Sequence, residues 1–206
     1  MANEFGESYG LTTLCPIING LENGQAHDKS IRRLLQTLDT DEGSPFAKIP
    51  NTYLARLFIL NDVFFEQGND VARDHLKSKY LVFTSNFHGK LEEYLTGMWT
   101  NQQSTIRNIW RHCVGFDQVN DAESFIAYIK KCQLTTTLFF NGSTDKSLKE
   151  QLKALYVKQA FTEFALTQQN RSAAELRSAF NKFMQNIQID NLNEPSYRPG
   201  QCDISL

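Results

Sequence analysis

The stretch from Thr52 to Asp62, Thr-Tyr-Leu-Ala-Arg-Leu-Phe-Ile-Leu-Asn-Asp, constrains this chain most. It is apolar at nearly every position, and Pro50 and Asn51 stand just before it. A short apolar run without alternation reads as a strand covered on both faces. A second such run, Tyr80-Leu-Val-Phe, ends at Asn86-Phe-His-Gly89. The segment between them is polar and carries Gly68, so it does not read as a helix, and the two runs are expected to pair antiparallel.

Further elements follow from the same rules. Residues 11–18 are rich in Thr, Leu and Ile and end near Pro16, which marks the end of a strand or an edge. Residues 22–38 read as a helix with Ile31, Leu34, Leu35 and Leu38 on one face. Helices are expected over 90–100, 104–113 and 121–132, the last opened by Asp121 as N-cap. Leu134-Thr-Thr-Thr-Leu-Phe-Phe140 is β-branched and aromatic and reads as a further strand. Helices over 145–167 and 172–187 follow, the second with a Ser172–Glu175 capping box.

The order predicts an α+β fold: a ferredoxin-like βαββαβ antiparallel sheet with helices on one face, plus two additional C-terminal helices. The expected division is a ferredoxin-like domain over 1–142, a helical pair packed on the same core over 143–189, and an extended tail over 190–206. The far face of the sheet needs cover. A homodimer through sheet faces would supply it, and so would the C-terminal helices.

Composition narrows the function classes. The 21 basic and 23 acidic side chains nearly cancel, giving a net charge of -2. That balance lacks the basic footprint a nucleic-acid binder needs. No apolar stretch approaches the ~18 residues of a membrane span. No basic segment precedes an apolar run at the N-terminus, so a cytoplasmic protein is expected. Cys15, Cys113, Cys132 and Cys202 are widely spaced and read as free thiols.

Residues 11–20, Leu-Thr-Thr-Leu-Cys-Pro-Ile-Ile-Asn-Gly, then a helix, resemble the opening of the dimeric α/β-barrel superfamily. The stretches 51–62 and 80–89 resemble its middle strands. That superfamily includes small monooxygenases, chlorite dismutases and dye-decolourising haem peroxidases. The resemblance spans about residues 11–141. It implies the fold, and with it haem as a cofactor and oxidoreductase activity. The Gly-x-x-Asp-Gly of the dye-decolourising peroxidases is missing from this sequence.

The residues that could carry such chemistry are few. Arg56, inside an apolar strand, would grip a carboxylate or a haem propionate, or sit in an internal salt bridge or in solvent at an edge. His112, beside Trp110 at a helix end, and His88, at a strand end, are the imidazoles placed to face a cofactor. The helix dipole alone also accounts for His112. His27 and His75 read as surface. The histidines share no metalloprotease spacing, so no metal site is expected. Phe64-Phe65 is expected to tuck back or form a contact surface. Two functions stay open: a domain that binds an apolar small ligand or a protein partner, and a haem-dependent or cofactor-free oxidoreductase.

Overall fold

A computed structural model describes residues 3–62 and 76–201. Phe64-Phe65, His75 and Cys202 lie outside the described residues. The protein is α+β, with a four-stranded antiparallel sheet ordered β1-β2-β6-β5. These strands are β1 (Glu4–Phe5), β2 (Ser8–Pro16), β5 (Thr52–Leu60) and β6 (Tyr80–His88). A small hairpin, β3 (Leu21–Glu22) and β4 (Gln25–Ala26), stands apart from the sheet. The helices are α1 (His27–Leu35), α2 (Leu91–Trp110), α3 (Ala122–Cys132), α4 (Leu148–Thr167) and α5 (Ala173–Ile187). Among the described residues no helix is long and apolar enough to cross a membrane.

The expected antiparallel pair is present. β6 lies between β2 and β5, with Leu14 opposite Val82 and Phe58 opposite Val82 on its two sides. The pleat sends Leu11, Cys15, Leu81, Phe83 and Phe87 to one face, where α1, α2 and α3 cover them. Trp110, Phe125 and Ile129 complete this core. The reading of β5 as covered on both faces is corrected. Leu54, Arg56 and Phe58 alternate with half-buried residues and are exposed. β5 is the sheet's edge strand, and apolar residues on its far face do not by themselves imply burial.

Two further expectations are corrected. Residues 22–38 are not one helix: Asn23 and Gly24 both take positive φ, 52° and 78°, and fold the β3–β4 hairpin before α1 starts. Asn-Gly is the pair that such a two-residue turn prefers, because both positions need the left-handed region. The two helices expected over 90–100 and 104–113 are present as the two helical segments of α2, which meet at a kink where Gln102 leaves helical dihedrals (φ -138°, ψ 31°).

The second correction is larger. Residues 134–140 form no strand. Leu138 is 83% exposed and Phe140 73%. The place beside β2 is contested, and β1 takes it through a two-residue turn at Gly6-Glu7. A local hairpin closes its loop at far smaller entropic cost than a pairing between segments over 100 residues apart. The Asn3 side chain then occupies the backbone that a ladder would use. Its amide donates to the Leu134 carbonyl (3.4 Å) and accepts from the Thr136 N–H (3.2 Å). One ladder-like bond remains, from Leu134 N–H to the Thr12 carbonyl at 2.8 Å.

The capping boxes at Asp121–Ser124, Ser147–Glu150 and Ser172–Glu175 all form. α4 and α5 pair through Phe161, Phe164, Phe180 and Phe183, whose ring centroids lie 4.8 to 6.2 Å apart. Lys153 of α4 is 3% exposed. Its ammonium donates to the carbonyls of Ile187 (2.6 Å) and Pro195 (2.7 Å), joining α4 to the end of α5 and to the tail.

Candidate functional site

Because β5 ends the sheet, one of its edges has no ladder partner among the described residues. A cleft of about 410 Å³ runs along that edge. Its floor takes Thr52, Tyr53, Leu54, Ala55 and Leu57. Four consecutive strand residues point to alternating faces, so a cleft that touches all of them runs along the strand's side rather than over one face. Leu35 and Leu38, at and just beyond the end of α1, form one wall. Leu148 and Leu152 of α4 form another. Asp39, Asp41 and Arg198 add polar groups, and the tail at 198–201 closes one side. Arg198 also lies 3.8 Å from Glu42.

The sequence candidates are not gathered in this cleft. Arg56 is exposed on the far face of the sheet, where its Nε donates to Thr84 Oγ1 at 3.3 Å. His88 lies on the same face as Thr84, roughly 13 Å further along β6 at about 3.3 Å per residue. Trp110 is fully buried on the opposite face, edge-on to Phe83 at 5.4 Å and to Phe125 at 6.2 Å. His112 follows the end of α2 at another corner. The residues that line the cleft offer iron no imidazole or thiolate, and the phenol of Tyr53 donates to the Lys146 carbonyl at 2.6 Å. These residues do not fit a haem.

His112 has a partner that sequence spacing did not suggest. His27, expected at the surface, is half-buried and places its Nδ1 2.9 Å from His112 Nδ1. Glu22 Oε2 lies 3.6 Å from the same atom and accepts from Arg111 at 3.0 Å. Burial holds His112 below the ordinary imidazole range, helped by the Arg111 and His27 charges and opposed by Glu22. The β3–β4 hairpin builds this corner by carrying Glu22 and delivering His27 as the first residue of α1. The Asn23-Gly24 pair was the one sequence signal that could have revealed it.

The thiols form a third cluster. Cys15 lies on β2 midway between two isolated bridges, Thr13 to Gln133 and Ile17 to Cys113. Cys113 and Cys132 therefore arrive on its two sides. Cys15 Sγ donates to Thr13 Oγ1 at 3.8 Å, and the neighbouring Cys15 and Cys132 thiols shift each other, Cys132 below its ordinary range and Cys15 above. Burial pushes Cys113 up to about 12. Of these three, Cys132 is expected to react first with iodoacetamide near neutral pH, by far more than about tenfold, because the thiolate is the nucleophile and the other two thiols are buried. Peptide mapping of the native protein would read this order, and Cys15→Ala should slow Cys132.

The chain matches no protein-family model, no curated protein and no solved structure.

Proposed function

We propose that this chain is a binding module that takes an extended, apolar segment of a partner protein along the open edge of β5. One observation carries the reading: consecutive residues of an unpaired strand edge form the floor of a cleft walled by leucines. An added strand finds main-chain donors and acceptors on such an edge, and side-chain pockets beside it select sequence. A volume of about 410 Å³ suits a few apolar side chains. Asp39 and Asp41 favour a basic residue at one end of the segment. In the same reading, β2, β6 and β5 form the core of a ferredoxin-like sheet whose fourth place is held by β1 and by residues 133–134.

Fluorescence polarisation with heptapeptides that alternate Leu or Val with polar residues and carry a terminal Arg tests this. Two N-methylated versions are compared, one blocked on odd amides and one on even. Binding lost in one version and kept in the other, and lost with Leu152→Glu, is the expected result. Equal binding of both versions, or displacement by a simple fatty acid, would replace the peptide with an apolar small ligand.

A further inference from the structure

The corner at Glu22, His27 and His112 is separate from the β5 cleft and needs its own explanation. The three residues come from the β3 strand, the start of α1 and the end of α2. Chain distance is large, with a sequence separation of 85 between the histidines. Their ligand atoms nevertheless all lie within 4.8 Å of one another. His112 is 4% exposed, and its backbone is pinned by the Ile18 N–H on its carbonyl at 3.0 Å.

We infer that Glu22, His27 and His112 form a site for one divalent transition-metal ion of the zinc type. The donor set is two imidazoles and a carboxylate, which suits zinc and its neighbours rather than calcium or magnesium. Bonds of about 2.0–2.1 Å at a tetrahedral angle put neighbouring donors roughly 3.3 Å apart. The observed 2.9 Å between the imidazoles and 3.6 Å to the carboxylate bracket that spacing. The remaining pair, His27 and Glu22, lies within 4.8 Å and closes to that spacing by side-chain movement. Arg111 on Glu22 Oε2 is then the outer partner that orients the carboxylate.

Without an ion, two Nδ1 atoms at 2.9 Å share one proton, one ring donating and the other accepting. Binding asks the donor ring to carry its proton on Nε2 instead, so both Nδ1 lone pairs turn to the metal with no net change in protonation. Three protein ligands leave the fourth tetrahedral position for water or a substrate.

Cobalt(II) titration of chelator-treated protein tests the site. Visible d–d bands that saturate at one ion per chain and bleach on adding zinc are expected. His27→Ala and Glu22→Gln should each weaken zinc by more than the ~10–100-fold that losing an outer partner costs. Both side chains are partly exposed, and far-UV circular dichroism checks that the variants fold. Zinc should raise the melting temperature of the parent and of neither variant. Absence of the bands, their retention in both variants, or sulfur-to-cobalt charge transfer that places the ion on the cysteines would each overturn the assignment.

Discussion

Trp110→Ala is expected to cost about 3–5 kcal/mol in urea unfolding followed by far-UV circular dichroism. Trp110 is fully buried as the last residue of α2, and it touches Phe83 on β6 and Phe125 on α3. It is the side chain through which sheet, second helix and third helix meet. Domains are stable by only about 5–15 kcal/mol, so this one truncation consumes much of the margin. Trp110 also carries a cost of its own. Its buried indole N–H finds no acceptor among the described residues, a deficit of about 1–3 kcal/mol. Trp110→Phe keeps a ring against Phe83 and removes that orphaned donor. It should therefore cost far less than Trp110→Ala, and equal losses in the two variants would show that the ring contacts are not what holds the layers.

Lys153→Met is expected to open the C-terminal helical pair locally. The ammonium sits against the last carbonyl of α5, where the helix dipole favours a cation, and also holds the Pro195 carbonyl. Hydrogen bonds to charged groups contribute about 1.5–3 kcal/mol each. Desolvation of the buried ammonium offsets part of this and pulls its pKa down, against the pull of Glu194. A net loss near 2 kcal/mol corresponds to roughly 30-fold faster amide exchange. That acceleration should appear over residues 173–187 and the tail, while amides of β2 and β6 keep their protection. A uniform acceleration would mean that the helical pair and the sheet unfold as one unit.

Local structure was legible in this sequence wherever a local rule governs it. The Ser172–Glu175 box, the Asp121 cap and the apolar runs of β5 and β6 each depend on neighbours a few residues away. The break near Gln102 was visible as two separate stripes. Residues 134–140 failed because their strand propensity is real but the edge of β2 was already taken by a shorter loop. Both candidate sites were illegible for a related reason. The cleft is assembled from segments near residues 35–57, 148–152 and 198–201, and none of them carries a motif alone. The histidine corner depends on a two-residue turn that hid inside an otherwise helical pattern.

The two sides of the sheet differ in a way that bears on assembly. The outer side of β2 is closed in relay by β1, by Leu134 on Thr12 and by Val114 on Pro16. β5 has no such closure among the described residues. At the other end β1 is only two residues long and offers little for a further ladder, which leaves β5 as the one long open edge of this sheet among the described residues. Two copies joined edge to edge through β5 would form a two-fold, eight-stranded sheet with both ends stopped, and growth would halt there. The edge proposed to take a guest segment is thus the same edge that a second copy would need, and an occupant there would compete with dimerisation.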